Sequence, residues 1–434
     1  MEAAVEGVAA RLQSAAERAL ALMRAQGFEQ AQITSAICGK QEVNIAHNEP
    51  SLLRSTESPN LTVMGIVDGR KASIELADFE RGAALEARIA ALRADAESAP
   101  ADDANAVSSG QRVTIEQGPQ QADLGVIRGA ARELLEFRNR HATKTIIDEC
   151  AISHQQRRWR TLTSGGSDIA CSIGWYEASV ACVARDGTAV SSFDFTGGTA
   201  DDFRGEFAEH FGIGEMLRSA ERQVRARPVG APFVGDVVLA PNAVNDLIDW
   251  LLGQLGDAKL IAGTSLYRNK AGQSIASPLL TLKSRFAAPG VAAVSGDAFV
   301  TPPIDVLRAG ELRCVLPTLY GSRKTGLPHV PVANGGWELA AGTMTKSQLI
   351  EGVKRGALVS RLSMGMPASN GDFSGVIKNS FVIDSGRLGD ALSETMISGN
   401  VSRMLSDVDG VSVERIDSGS TLLPWVRVPG LHFS

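Results

Sequence analysis

The sequence is poor in the residues on which many enzymes depend. Its 434 residues include six histidines and five cysteines, and aromatic residues make up 5% of the chain. The cysteines are odd in number and widely spaced, which is typical of free thiols in a reducing compartment rather than of a disulfide framework. No apolar run reaches the roughly 18 residues that span a bilayer, and the first residues lack the pattern of a secretory signal. We therefore expect a cytoplasmic protein with no membrane partner.

Long basic runs are also missing. The chain has 43 Lys and Arg against 49 Asp and Glu, a net charge of −6, and its densest basic cluster is Gln155–Arg160. A few arginines in an acidic protein release few counterions from a phosphate backbone, so they add little affinity for nucleic acid. We expect these arginines on the outer face of a strand and expect no direct contact with nucleic acid.

Helical and strand-like patterns alternate in the first half of the chain. Apolar residues recur at helical spacing over residues 3–26, and strand-like segments follow. A second helix is predicted over 79–97, and residues 98–120 are predicted to form an exposed connection. From Asp123, which is placed to cap a helix, the order of helix and strands repeats, and a helix over 205–225 closes this half.

The second half follows a linker rich in proline and glycine. The linker Arg227–Phe233 is the predicted boundary between an N-terminal domain, residues 1–226, and a C-terminal domain, residues 234–434. A helix is predicted from Pro241 to about Leu255, and beyond it strands and glycine turns dominate. The pattern predicts an α+β fold, with an N-terminal domain of helices packed on antiparallel strands and a C-terminal domain of mostly antiparallel β structure.

The segment Ser369–Asn400 combines β-favouring residues with many polar ones. Asp384–Gly386 has the composition of a turn between antiparallel strands, and the Gly-Asn pair at the end of the segment is placed to open a helix. Two of its carboxylates could converge in a cleft and act in acid–base catalysis; the four that it contains are Asp372, Asp384, Asp390 and Glu394. The alternative is structural, with polar side chains bonding the amides of turns.

This segment resembles the C-terminal part of the TldD/PmbA family, specifically its PmbA branch, also called TldE. The segment Gly321–Gly326 after Tyr320 is similar to the YG-x-RKTG segment of that branch, and LPWVRV, which ends at Val428, also matches. The resemblance is strong over residues 236–429 and weak over 1–225, and it implies a TldD/PmbA-like fold. It marks as motif and interface candidates Asn370, Asp372, Phe373, Ser374, Asn379, Glu394, Ser398 and Asn400, and as loop candidates Arg323 and Lys324.

The resemblance implies a zinc peptidase built from two related subunits, of which one carries the metal. In the zinc-bearing branch, an H-E-x-x-x-H motif lies on the helix that follows a strand and a proline near the start of the C-terminal domain. The matching helix here begins at Pro241, and the motif positions hold Asp249, Trp250 and Gln254. The third family ligand is a cysteine near the C-terminus, and no cysteine follows Cys314. A carboxylate with an amide makes a poor zinc site, so we expect no metal and no cofactor in this chain.

The family relation thus implies a non-catalytic subunit that forms a heterodimer with a TldD-like, zinc-bearing chain. Family members cleave unfolded peptides, remove leader peptides during peptide maturation, and have been named modulators of DNA gyrase. The chain is expected to form a wall of the substrate chamber, and the resemblance also allows a homodimer when the partner is absent. Two alternatives stay open. One is a stand-alone hydrolase or transferase without metal that uses the Asp372–Glu394 block, and the other is a binding regulator without proteolysis.

Overall fold

The structure, a computed structural model, describes residues 2–79, 82–333 and 335–434. Two β-sheets organise these residues, one formed between Gln30 and Ala200 and the other between Phe233 and Phe433, and helices pack against both. The α+β fold class expected from the sequence is confirmed. The domain boundary placed at the linker stays a prediction.

Long antiparallel strands dominate the first sheet, which consists of β1 (Gln30–Ala46), β2 (Glu49–Val67), β3 (Arg70–Leu76), β4 (Arg112–Gln117), β5 (Thr145–Thr163), β6 (Asp168–Asp186), β7 (Ala189–Val190) and β8 (Asp194–Ala200). Their order is β3-β2-β1-β5-β6-β4, and β7 and β8 also pair with β6. The sequence pattern predicts two shorter strands in place of each of β1, β5 and β6. β1 is continuous because it is paired on both sides, so that Gly39, of low β propensity, lies opposite Glu57 of β2 and Gln156 of β5.

The helices of the first half form two apolar cores with this sheet. They are α1 (Glu2–Ala25), α2 (Ala83–Ser98), α3 (Leu124–His141) and α4 (Ile213–Gln223). α1 and α2 share one core with β1, β2 and β3, and α3 and α4 share the other with β5 and β6. The Asp123 carboxylate accepts a hydrogen bond from Gly125 N (2.8 Å) and caps α3, as the sequence predicts.

Two expectations for this half are corrected. Residues 98–120 are more than an exposed connection, because Arg112–Gln117 forms β4 and pairs in parallel with β6. The helix expected over 205–225 begins only at Ile213. Phe211 has a φ of 58° and breaks the short 3₁₀ turn that precedes the helix, although the apolar spacing continues across it.

Short strands make up much of the second sheet, which consists of β9 (Phe233–Leu239), β10 (Leu282–Ser284), β11 (Asp305–Arg308), β12 (Glu311–Leu312), β13 (Trp337–Leu339), β14 (Arg355–Val359), β15 (Arg361–Ser363), β16 (Asp372–Lys378), β17 (Ser380–Asp384), β18 (Arg387–Leu392), β19 (Thr395–Asn400), β20 (Gly410–Asp417) and β21 (Thr421–Phe433). Its main order is β12-β11-β10-β13-β21-β9-β14-β17-β18, and β15, β16, β19 and β20 join it through β21. Most pairs are antiparallel, while β9–β14 and β13–β21 are parallel.

The helices of the second half are α5 (Pro241–Leu255), α6 (Asp257–Ile261), α7 (Leu319–Thr325), α8 (Lys346–Glu351) and α9 (Val401–Asp407). α5 has the bounds that the sequence predicts and is buried in the main core of this half. α7 corrects an expectation, since Gly321–Gly326 was expected as a loop and instead forms a helical turn capped by Thr318. None of the helices that the structure describes combines the length and apolar character that a membrane crossing requires.

A loop of the second half, residues 288–300, packs on the first sheet. Ala298 is buried in one apolar cluster with Trp159 and Ile173. Gln117 Nε2 donates to the carbonyl oxygen of Ala288 (2.7 Å) beside this cluster. These contacts fix the two sheets relative to each other and leave a cleft between them.

Candidate functional site

The cleft between the two sheets opens at the N-terminal end of α5 and has a volume of about 490 Å³. We call it the α5 cleft. Its walls come from β8 of the first sheet and from α5, β15, β16 and the turn between β20 and β21. The residues that line it include Phe195, Gly198, Asn242, Asp246, Arg361 and Lys378.

Local sequence explains why α5 presents polar side chains to this cleft. Pro241 occupies the first turn, where a missing N–H has no helical partner to lose. Val244, Leu247 and further apolar residues at helical spacing bury one side of the helix in the core. Asn242 and Asp246 stay at the cleft.

Asp246 is a cleft carboxyl that titrates near neutral pH. Burial and the charge of Asp249 raise the pKa of Asp246 to about 7, and the Arg361 guanidinium opposes this rise. Asn245 Nδ2 donates to Asp249 Oδ2 (2.8 Å), yet burial still raises the pKa of Asp249. Because Asp246 is about half protonated near pH 7, the charge of the cleft depends on pH.

Arg361 of β15 ties the start of β8 to the second sheet. Its Nη1 donates to the carbonyl oxygen of Phe193 (3.2 Å), and its guanidinium carbon lies 4.4 Å from the centre of the Phe195 ring. This cation–π contact holds Phe195, whose side chain is half exposed, at the wall of the cleft. Sequence reasoning missed both residues, because neither belongs to a recognisable motif.

Asn379 reaches the same place from the connection between β16 and β17. It is 1% exposed, has a φ of 54°, and donates through Nδ2 to the carbonyl oxygen of Phe193 (3.3 Å). Burial raises the pKa of the neighbouring Asp194 to about 6, although a bond from Phe195 N, the Arg361 charge and Asn379 all lower it. Asn379 therefore stabilises the segment that leads into β8 at the cleft wall, through its bond to the backbone of Phe193.

β8 offers a strand edge to the cleft. Among the strands that the structure describes, it pairs with β6 alone, and beyond Gly198 it is tied to the β20–β21 turn, where Thr199 N donates to the carbonyl oxygen of Ser418 (3.2 Å). A Cβ atom at Gly198 would lie 2.6 Å from that same oxygen, so this close approach requires glycine. An unpaired strand edge can accept an extended peptide as an added strand.

The three positions that match the family's metal motif have other partners. Gln254 is 2% exposed, and its Oε1 accepts a hydrogen bond from Leu266 N (3.2 Å). The Trp250 ring meets Tyr267 edge to face, with ring centres 6.2 Å apart, and Asp249 accepts the bond from Asn245. In the described part of the chain, no three His, Cys, Asp or Glu side chains gather as they would around a metal ion. An indole, a committed amide and one carboxylate do not fit a zinc ion.

Three of the motif candidates form one bonded network. Asn400 Nδ2 donates to Asp372 Oδ1 (2.8 Å) and to the carbonyl oxygen of Asn370 (2.9 Å), and Asn400 Oδ1 accepts from Arg403 N (3.0 Å) as the N-cap of α9. Asn370 Nδ2 donates to Asp372 Oδ2 (2.7 Å). The bonds from Asn400 and Asn370 lower the pKa of Asp372. The network holds the turn before β16 against α9, which is the structural alternative that the sequence left open.

The remaining motif candidates lie apart from this network. Phe373 is buried in the core, and Ser374 lies opposite Ser398 where β16 pairs with β19. Glu394 Oε1 is 3.7 Å from Nζ of Lys378, which lines the α5 cleft. Ser374 is exposed and Ser398 half exposed, so this part of the sheet has a solvent-facing side.

The four carboxylates of the block do not converge, which corrects the catalytic expectation for them. Asp372 bonds to the two asparagines, Asp390 Oδ2 pairs with Arg227 Nη1 (3.4 Å), Glu394 pairs with Lys378, and Asp384 accepts from its neighbour Ser385. Each carboxylate thus has its own partner at a different point of the sheet. The arrangement gives no support to a stand-alone acid–base enzyme.

Arg323 and Lys324 join the two halves of the chain. Lys324 Nζ lies 2.9 Å from Asp102 Oδ2, and Arg323 Nη2 donates to the carbonyl oxygen of Asp103 (2.6 Å). The Tyr320 hydroxyl also donates to Asp102 (2.7 Å). The bonds from Lys324 and Tyr320 lower the pKa of Asp102 to about 2. The sequence gives no sign of this contact, because its members are more than 200 residues apart.

Comparison with known proteins gives a family-model match to the C-terminal half and a curated relative that aligns with about half of the chain. The sequence model of the PmbA/TldA metallopeptidase C-terminal domain matches residues 234–434. A curated relative named "Metalloprotease", from Methanothermobacter thermautotrophicus, is 28% identical over 256 residues, which are 53% of this chain and 54% of that relative. This match therefore spans about half the length of the relative.

Solved structures are similar over almost the whole chain. TldE from Thermococcus kodakarensis superposes with a TM-score of 0.82 at 18% identity, covering 97% of this chain and 100% of that one. A protein of Bacteroides thetaiotaomicron described as a candidate modulator of DNA gyrase has a TM-score of 0.81 at 20% identity, with coverages of 97% and 98%. At these identities the likeness establishes the fold.

Proposed function

Since this chain belongs to the TldD/PmbA family, we propose that it is a TldE-like, non-catalytic subunit of a heterodimeric zinc peptidase. A TldD-like partner supplies the zinc, and unfolded or leader peptides are the substrates. We place the complex in the cytoplasm, in keeping with the free state of the five cysteines.

The observation that carries this proposal is that two of the three motif positions on α5 hold side chains engaged within the fold. Trp250 packs on Tyr267, and Gln254 binds the backbone of Leu266. The helix lies beside a cleft, but its side chains at these two positions stabilise the fold. A peptidase that contains this chain would then take its metal from another subunit.

The second part of the proposal is that the α5 cleft forms a wall of the substrate chamber. An extended peptide can add to the edge of β8 near Phe195 through main-chain hydrogen bonds, which depend little on sequence. A folded protein has no free strand to offer there. Such a wall would favour unfolded chains over folded ones.

We assign the partner contact to the solvent-facing side of β16 and β19. Ser374, Ser398 and the exposed Met396 lie there, small or uncharged and without a covering helix in the described residues. Small side chains on a flat strand pair permit close approach of another subunit. The contact is the part of the proposal that a surface variant can test.

The test combines metal analysis with a peptidase assay. We expect the purified chain to contain no stoichiometric zinc and to leave casein and leader peptides intact, and we expect cleavage sensitive to chelators after a TldD-like partner is added. Ser374→Arg should weaken the complex in size-exclusion chromatography and lower cleavage in proportion. Ser58→Arg, which places the same cation at an exposed position of another strand, β2, is the matched control.

Two results would contradict the subunit assignment. One is zinc bound at one ion per chain, and the other is cleavage by this chain alone that chelators do not inhibit. A complex that forms but cleaves nothing would favour the binding regulator instead. Equal loss of the complex in Ser374→Arg and Ser58→Arg would remove the assigned contact.

A further inference from the structure

The charges that face the α5 cleft differ in sign from the protein as a whole. The chain carries a net charge of −6, yet Arg361 and Lys378 both line the cleft. Of the residues that line it in the described part of the chain, Asp246 is the one carboxylate. Burial raises the pKa of Asp246 to about 7, so near neutral pH its charge offsets only part of the two cations. An anion would find complementary charge here.

Arg361 is held in place to receive such an anion. One nitrogen bonds to the carbonyl oxygen of Phe193 and the planar group stacks on Phe195. A guanidinium has five N–H donors in a fixed fork, which suits a carboxylate. Because two contacts already fix the group, a ligand would lose little side-chain entropy on binding it.

Lys378 can exchange its present partner, Glu394, for a ligand carboxylate. Its ammonium lies 3.7 Å from Glu394, and the Glu394 side chain is 69% exposed. Exposed ion pairs contribute little free energy, so a ligand carboxylate can replace Glu394 at low cost. Lys378 and Arg361 are thus two donors on adjacent paired strands, β16 and β15, beside the edge of β8.

We propose that the α5 cleft is a carboxylate subsite, in which Arg361 and Lys378 bind an acidic group of an extended peptide that lies along β8. The inference rests on the proposed function, since it names the peptide class that the chamber wall prefers. The carboxylate can belong to an acidic side chain or to the C-terminus of the peptide. Phe195 and Gly198 would contact its backbone and its apolar neighbours.

The subsite should bind more tightly as the pH falls from 8 to 6.5. Asp246 gains its proton over this range and stops competing for Arg361. The other ionisable groups near it are Asp249 on α5, Asp194 at the start of β8, and the two cations. The pKa of Asp194 is about 6, so most of its titration lies below this range, while a peptide glutamate stays ionised throughout.

The experiment measures fluorescence anisotropy of labelled eight-residue peptides with the purified full-length chain. The peptides carry Glu or Gln at a central position, and each is made with a free or an amidated C-terminus. We expect a peptide with a carboxylate to bind about tenfold more tightly than the amidated Gln peptide, as for one charge-assisted pair. Whether Glu or the free C-terminus supplies that gain identifies which carboxylate is bound, and either supports the subsite.

Variants separate the subsite from general charge attraction. Lys378→Gln should remove most of the preference, whereas Lys259→Gln, the same change at a half-exposed lysine of α6, should leave it intact. Asp246→Asn should bind at pH 8 as tightly as the wild-type chain does at pH 6.5. Arg361→Gln should also lose the preference, with circular dichroism used to check the fold.

Three results would overturn the subsite: no carboxylate preference, a preference that survives Lys378→Gln, or an equal loss in Lys259→Gln. These outcomes are separable from failure of the proposed function. A complex that cleaves peptides while the chain shows no preference removes the subsite alone. A preference without partner-dependent cleavage removes the peptidase role and keeps the subsite.

Discussion

The side-chain amide of Asn400 makes hydrogen bonds to three partners, two of them backbone groups and one a side chain. Replacing it by alanine removes the cap of α9 and the donor to Asp372, so Asn400→Ala should lower the free energy of unfolding by about 1–2 kcal/mol. Urea unfolding measures this loss. Asn400→Asp keeps a capping oxygen but sets a second carboxylate beside Asp372, so its loss should be larger at pH 7 than at pH 4. An alanine variant as stable as the wild-type chain would show that the network contributes nothing.

Asp194 gives the chain a pH-dependent weakness. The pKa of Asp194 rises from 3.8 to about 6 on folding. Between these two pH values, the folded state keeps a proton that the unfolded state has released. Stability therefore falls as the pH rises through the window, by about 1.4 kcal/mol per pH unit, and the loss persists above it. Asp194→Asn should gain stability over the wild-type chain, and the gain should be about 1.4 kcal/mol larger at pH 8 than at pH 5.

Urea unfolding at the two pH values checks the Asp194 prediction, with the exposed Asp384→Asn as control. The control should show no such difference, because Asp384 lies at a solvent-exposed turn. A gain for Asp194→Asn that is equal at pH 5 and pH 8 would mean that the carboxyl group ionises normally in the folded chain.

Sequence reasoning found some single residues and missed others for a physical reason. The family resemblance marked Asn379, but its bond to Phe193 joins residues 186 positions apart, and no local pattern carries that information. Arg361 and Asp246 were missed because an arginine in a short strand and an aspartate in a helix are ordinary on their own. Their chemistry arises from burial and from each other, which only the fold supplies.

At the scale of elements, a glycine on β8 and a glycine on α5 have opposite constraints. A Cβ at Gly198 on β8 would lie 2.6 Å from Ser418 O and 2.9 Å from the Phe211 ring, while a Cβ at Gly253 on α5 meets nothing within 4 Å. Gly198→Ala should destabilise the chain by about 1–3 kcal/mol through overpacking. Gly253→Ala should stabilise it by about 0.5–1 kcal/mol, because alanine loses less backbone entropy in a helix.

Thermal unfolding of the two alanine variants tests this contrast, and each serves as the control of the other. Gly198→Ala should also weaken peptide binding, since the edge of β8 must shift to admit the methyl group. If Gly198→Ala raised the melting temperature as Gly253→Ala is expected to do, the close approach of β8 to the β20–β21 turn would be wrong.

Elements with strong local signals were predicted well, and elements made by pairing were not. α5 has the predicted bounds because Pro241 and the apolar spacing both act locally. β4 was missed because its partner β6 lies 56 residues further along the chain. The sequence pattern divided β1 at Gly39 because glycine has a low β propensity. Propensity contains no information about the hydrogen bonds to β2 and β5, which keep the strand continuous at this residue.

At the scale of the whole molecule, the loop 288–300 couples the two sheets. Ala298 (φ 61°) is buried in the shared cluster, while Ala287 (φ 59°) has the same left-handed backbone and is exposed. Aspartate tolerates this conformation. Comparing the same substitution at Ala298 and Ala287 therefore separates the effect of burial from the effect of backbone strain. Ala298→Asp should destabilise the chain by several kcal/mol, because it buries an unpaired charge, and Ala287→Asp should change it little.

Urea unfolding followed by tryptophan fluorescence measures the effect of the Ala298 change on both halves. Trp159 and Trp175 report on the first sheet, and Trp250, Trp337 and Trp425 report on the second half. Single-tryptophan chains should show Ala298→Asp lowering the midpoint of both groups. A midpoint lowered in one half alone would show that the sheets unfold independently.

The side chains of α5 also limit the evolutionary paths open to this chain. Installing the metal motif that the resemblance implies would need histidine, glutamate and histidine at Asp249, Trp250 and Gln254, together with a cysteine near the C-terminus. Two of the single steps are losses before the set is complete, because changing Trp250 empties the space beside Tyr267 and changing Gln254 leaves Leu266 N without its acceptor. Introducing the motif by single substitutions would therefore lower the stability of the chain at two of the positions before any metal could bind.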